Sequence, residues 1–300
     1  MIMRFIFGVR AASAALLIVA CSSAARAQDN ATWRDIETKY VFGFTSGSGI
    51  GLEGEKEFSL DTEARIGKKA GRYFGSETKF EFEFTPNQYV QFEFGPFVSA
   101  HSINGVPGLD DPKQLAFGGL FGEVRYLLLD RGPSSPLAVT LSAEPEWRRI
   151  DETSGERVNN VELELKLNAD LELVPQRLYA GFNLLYEPEG THDPDHVGAG
   201  WEKESKGGIS AALAYRVTSS VLIGAEAWYL RHYDGMWFNS FTGDAVYVGP
   251  TLFVQIAPKM FVAAAWNVQV QGSEVDDPSA HLNLAEFSRH RAKLKVAVEF

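Results

Sequence analysis

Apolar and polar residues alternate with a period of two along almost the whole chain. In "VELELKLNADLEL" (161–173), Val161, Leu163, Leu165, Leu167, Ala169, Leu171 and Leu173 fall on one side. Glu162, Glu164, Lys166, Asn168, Asp170 and Glu172 fall on the other. "TKFEFEF" (78–84) sets Phe80, Phe82 and Phe84 against Lys79, Glu81 and Glu83 in the same way. Successive side chains of a strand point to opposite faces, so each stretch predicts a β-strand with one apolar and one polar face. The pattern predicts twelve strands, over 54–68, 71–86, 88–101, 115–129, 137–149, 158–174, 178–188, 206–217, 220–233, 244–256, 260–272 and 289–300. Most exceed the roughly 5–6 residues usual in soluble strands and suffice for the about 9–11 that cross a bilayer.

The connections sort into two kinds. Short turns follow the even strands, as in "TPNQ" (85–88) and "APK" (257–259). Longer polar loops follow most odd strands, as in "GVPGLDDPKQ" (105–114) and "EPEGTHDPDHVGAGWEKESK" (187–206); the link near 67–71 is the short exception. Transmembrane barrels have short periplasmic turns, longer external loops and an even strand number. A lipocalin-like or sandwich protein would carry the same alternation inside out. Strand length, loop asymmetry and aromatics on the apolar faces (Phe80, Phe92, Tyr126, Trp147, Trp266) favour the membrane. The expected fold is all-β: a single transmembrane, antiparallel, up-and-down β-barrel of about 12 strands over residues 54–300.

The first residues read as targeting, not fold. Arg4 and Arg10 precede the apolar run 11–20 and the small-x-small "ARA" (25–27), so residues 1–27 are an expected signal peptide cleaved after Ala27. "IVAC" (18–21) keeps a lipoprotein alternative open at Cys21, the single cysteine. The formal charge is −11; a chain starting at Gln28 loses three arginines and no acid, and stands at −14. That balance argues against nucleic acid as a partner. Residues 28–53 are not needed to close a barrel. Tyr40, Phe42 and Phe44 share one face before the segment turns glycine-rich, and it is expected either to enter the lumen or cap its periplasmic mouth, or to be a disordered leader.

The final stretch "HRAKLKVAVEF" (290–300) places Leu294, Val296, Val298 and Phe300 at alternate positions. With the signal and the twelve segments, it resembles a Gram-negative outer-membrane β-barrel protein. In that class the closing strand ends in Phe and is read by the barrel-assembly machinery. The Gly and aromatic often found further back in that signal are not evident, since Ala292 and Leu294 stand there. The resemblance implies residence in the bacterial outer membrane and contact with its lipid and lipopolysaccharide. "DIETKYVFGFTSGSGIGLEGEKE" (35–57) also resembles the N-terminus of an uncharacterised alphaproteobacterial group of such proteins, which implies no substrate.

If the apolar faces meet lipid, the polar faces line the lumen. Seventeen acids and nine bases take that parity, among them Glu57, Asp61, Glu63, Lys79, Glu81, Glu83, Arg125, Glu162, Glu164, Lys166, Arg291, Lys293 and Lys295. Such charges are costly against hydrocarbon. One reading is a narrow, porin-like channel for passive passage of small solutes or ions, its acidic excess favouring cations. The other is a structural or surface-interaction barrel closed by charge pairing, with Arg291, Lys293 and Lys295 of the last strand beside Glu57, Asp61 and Glu63 of the first.

No cofactor is expected. "GIGLEG" (49–54) is followed by a strand where a dinucleotide fingerprint needs a helix. "HSING" (101–105) puts His101 and Ser102 on opposite faces of a strand, which breaks the couple that an outer-membrane lipid hydrolase needs. "THDPDH" (191–196) offers His192, Asp193, Asp195 and His196 as weak metal candidates in an acidic loop, with no metal site assigned.

Overall fold

A computed structural model describes residues 37–132, 135–195, 198 and 200–300; the expected signal peptide lies outside the described residues. Twelve strands are present: β1 Lys56–Ile66, β2 Arg72–Asn87, β3 Val90–Asn104, β4 Lys113–Leu129, β5 Leu137–Ile150, β6 Arg157–Val174, β7 Leu178–His192, β8 Glu202–Arg216, β9 Val221–Asp234, β10 Ser240–Ala257, β11 Met260–Glu274 and β12 His290–Glu299. Each pairs antiparallel with its sequence neighbour, and β12 pairs with β1 to close the barrel.

Alternation located every strand, but not every end. β7 and β8 run out to His192 and start at Glu202, where the sequence pattern predicts loop from 189 to 205. Residues 189–192 and 202–205 are polar or small on both faces, so no alternation marks them as strand. They continue the ladder beyond the apolar band, pairing Glu189 with Glu204 and Thr191 with Glu202.

Links 88–89, 175–177, 217–220 and 258–259 are short and share one end of the barrel, the turn end, with the start of β1 and the end of β12; loops 105–112 and 275–289 lie at the other, the loop end, with the end of β7 and the start of β8. Outward residues are apolar and exposed, such as Phe80, Phe92, Leu213, Trp266 and Val298. Inward residues are buried and largely polar, such as Glu81, Arg125, Asn168 and Glu226. Among the described residues, then, the exterior is a surface for lipid. Leu213 lies within the apolar stretch of β8 and points outward beside Ala180 and Ala225. Leu213→Arg is expected to cost about 2–4 kcal/mol of folding stability, read by denaturant titration of the barrel in lipid vesicles.

Candidate functional site

The chain before β1 enters the lumen at its turn end. A 3-10 turn over Thr38–Tyr40 buries all three of its side chains. Lys39 Nζ lies 2.6 Å from Glu83, 2.8 Å from Glu93 and 3.9 Å from Glu123. Burial alone would lower its pKa, but those three carboxylates outweigh it and hold the ammonium above its ordinary range. Beside it, the Tyr40 hydroxyl donates to Glu83 at 2.8 Å, and Lys295 Nζ sits 4.0 Å above the Tyr40 ring.

Two strand carboxylates hold the backbone that follows. Glu226 accepts the Phe44 and Thr45 amides at 3.1 and 2.7 Å. Asp170 accepts the Ser48 amide, the Ser48 hydroxyl and the Thr38 hydroxyl, each at 2.6 Å. Arg125 Nη2 donates to the Gly47 carbonyl at 2.6 Å, and Asn183 brackets Ser46 through its amide and carbonyl. Gly43 sits at φ +85°, and a Cβ there would fall 2.8 Å from Ala265, Thr251 and Glu226, so only glycine lets the segment lie this close to the wall.

Apolar contacts complete the docking. Tyr40, Val41 and Phe42 pack on Tyr179, Ala212, Ala214, Leu222, Phe253, Phe261, Ala263 and Ala297. Phe44 joins Leu185, Trp228, Leu230, Ala245, Tyr247 and Ala265. Strands β7 to β12 thus present apolar or small residues inward as well as outward at this end. The Glu37 carboxyl is turned inward with one oxygen unpartnered among the described residues; burial, then the nearby Glu83, pushes it up to about 8. Its protonated form therefore favours docking, a contribution full below about pH 4.5, lost progressively as pH rises from there, and gone above about 8. Bilayer conductance is expected to rise between about pH 5 and 8 and to level off above that, and Glu37→Gln should remove the rise.

Above the segment the lumen is laddered with charge. Lys79 pairs with Glu144 and Glu146, and Arg148 with Glu77 and Glu146. At the seam Lys293 lies 3.0 Å from Asp61 and 3.3 Å from Glu63, and Arg291 3.3 Å from Glu63. Lys295 reaches past β1 to Glu81 at 2.5 Å. Glu57 is buried, and its carboxylate has no hydrogen-bond partner among the described residues. Glu164 pairs with Lys166 at 2.6 Å. From the β5–β6 loop, Glu152 bridges Arg65 at 2.5 Å and Lys206 at 3.6 Å. Burial would raise its pKa, but Arg65, Lys206 and Arg148 hold it well below the usual carboxylate range.

A cavity of about 240 Å³ remains between the docked segment and the loop end. Twelve acids and ten bases line it, with an apolar wall of Phe44, Leu185, Trp228, Leu230, Tyr247 and Phe287. The sequence count of inward charge was more acidic because it included carboxylates such as Glu57, Glu83 and Asp170 that do not line this cavity, and lacked Lys39 and Lys206, which do. Glu162, Glu164 and Lys166 all face the cavity.

The other sequence candidates separate. His101 is buried with Nε2 3.1 Å from the Glu152 carbonyl, while Ser102 points outward, so the two do not meet. The His192 ring packs against Trp201, and Asp193 caps a turn by accepting the Asp195 amide at 2.8 Å; His196 lies outside the described residues. Leu294, Val298 and Phe300 face outward and exposed, Val296 half-buried between them. The Phe300 amide donates to the Lys56 carbonyl at 2.8 Å.

Residues 35–300 match the model of a family described as a family of unknown function (DUF6662). The chain belongs to that family. No curated protein matches it. Among solved structures, this DUF6662 barrel is similar to the COG4313 outer membrane channel from Pseudomonas putida F1, with a TM-score of 0.60 and 9% identity over 89% of this chain and 100% of that one. It is also similar to the translocator domain of autotransporter NalP from Neisseria meningitidis, with a TM-score of 0.50 and 14% identity over 84% of this chain and 90% of that one. At these identities the likeness establishes the outer-membrane barrel fold.

Proposed function

We propose that this barrel is a narrow outer-membrane channel for small solutes or ions, its turn end closed by the segment 37–49. The observation that carries the reading is the charge-lined cavity continuing from that segment, a space a purely structural barrel has no need to keep. The COG4313 neighbour, titled an outer membrane channel, supports it. The twelve-to-ten charge count gives a weak cation preference in the closed form. The partners are outer-membrane lipid and lipopolysaccharide at the exterior, the assembly machinery at the strand ending in Phe300, and solute within. The barrel acts without catalysis.

Planar-bilayer recording tests this. The full mature chain should pass small, infrequent currents, and deletion of 37–49 should give steady current. The closed structural reading rests on the ion pairs between neighbouring strands. Silence from both proteins, each verified as folded, would establish that reading instead.

A further inference from the structure

At the loop end, away from the docked segment, Glu189, Glu204 and His232 converge from three adjacent strands. Register places Glu189 opposite Glu204, and Lys206 opposite His232, so all three side chains share one patch of inner wall. One ligand atom from each lies within 4.8 Å of the others. His232 is buried, with Nε2 3.2 Å from Glu204 Oε2 and Nδ1 2.8 Å from Thr242 Oγ1. Glu286, on the 275–289 loop, reaches within 3.5 Å of the same Nδ1.

We propose that Glu189, Glu204 and His232 form a binding site for a zinc-class divalent transition-metal ion at the outer mouth of the barrel. A ligating histidine gives one ring nitrogen to the metal and donates the other N–H to an oxygen, which fixes the ring. Thr242 and Glu286 are the oxygens on Nδ1, and Nε2 is left facing Glu204. Ligands about 2.0–2.2 Å from a tetrahedral ion stand roughly 3.3–3.5 Å apart. The His232–Glu204 pair already has nearly that spacing, and Glu189 must swing by at most about 1.5 Å to match it. Water takes the fourth position.

Lys206 competes for Glu189 at 3.3 Å, but it also holds Glu187 at 2.8 Å and Glu152 at 3.6 Å, so it stays paired when Glu189 turns to the metal. An imidazole ligand selects transition metals over Ca²⁺ and Mg²⁺. Because Glu286 touches the same ring, a bound ion would also brace the 275–289 loop, which packs Phe287 into the lumen.

The test is calorimetric titration of ZnCl₂, with CaCl₂ alongside, into the full folded barrel in detergent, carrying no histidine tag. One Zn²⁺ per barrel is expected, with much weaker Ca²⁺. His232→Ala should lose the site, and Thr242→Ala should weaken it about tenfold. If His232→Ala fails to fold, Glu189→Gln decides in its place and should lose the site as well. The rim variant Asp277→Asn, and the double variant His192→Ala with His196→Ala, should bind as the parent does. No Zn²⁺ uptake by the parent, equal affinity for Ca²⁺, uptake unchanged in folded His232→Ala, or loss in the His192/His196 variant would each overturn the proposal.

Discussion

Lys39→Ala should convert a nearly closed barrel into a steadily conducting, cation-selective one. The Lys39 ammonium is enclosed by Glu83, Glu93 and Glu123, and nothing else on residues 37–49 offers those carboxylates a cation. Removing one partner from a buried charge cluster costs about 3–5 kcal/mol, because the charges left behind are stripped of compensation. At about 1.4 kcal/mol per tenfold, docking of the segment weakens by a hundredfold or more. The freed carboxylates then stand in the conducting path, so reversal potentials under a KCl gradient should move toward the cation limit. Lys39→Arg keeps the charge but not the compact geometry, and should fall between parent and alanine. Equal currents from parent and Lys39→Ala, with both barrels folded, would mean that the ion cluster does not hold the segment.

The fold was legible because a barrel in lipid must place apolar residues outward along every crossing strand. The stretches around Leu163–Leu173 and Phe80–Phe84 state that rule without ambiguity. The rule is silent beyond the bilayer, which is why the outer ends of β7 and β8 escaped. It is also silent inside. "ISAALAY" (209–215) and "FVAAAW" (261–266) carry apolar residues on both faces, and their inward members Ala212, Ala214, Phe261 and Ala263 receive Tyr40, Val41 and Phe42. A strand apolar on both faces within a charge-lined barrel needs an internal partner, so that run was the available signal for a docked segment. Nothing comparable marked Lys39: its partners lie 44 and 54 residues away, and pairing at that distance follows from closure alone.

Asp170 and Glu226 should prove to hold the segment through its backbone, independently of Lys39. Four donors converge on Asp170: the Thr38 hydroxyl, the Ser48 amide and hydroxyl, and the Arg131 guanidinium. Glu226 takes the Phe44 and Thr45 amides together with Asn267 and Trp228. Hydrogen bonds to a charged acceptor contribute about 1.5–3 kcal/mol each, and a buried donor left unpaired costs a similar amount. Asp170→Asn keeps the size but loses the charge and turns an N–H₂ group toward those donors, so the segment should loosen by roughly 2–4 kcal/mol, or thirtyfold and upward. A reporter at Ser46→Cys reads this directly, since Cys21 is the one native cysteine and falls in the expected signal. Maleimide labelling of the reporter should accelerate at least tenfold in Asp170→Asn, and further with Glu226→Gln added. Selectivity separates this route from the first. Both variants open the turn end, but Asp170→Asn leaves Lys39 in place and removes a negative charge, so its current should be less cation-selective than that of Lys39→Ala. Labelling that stays slow in Asp170→Asn would show that the amide contacts follow docking without causing it.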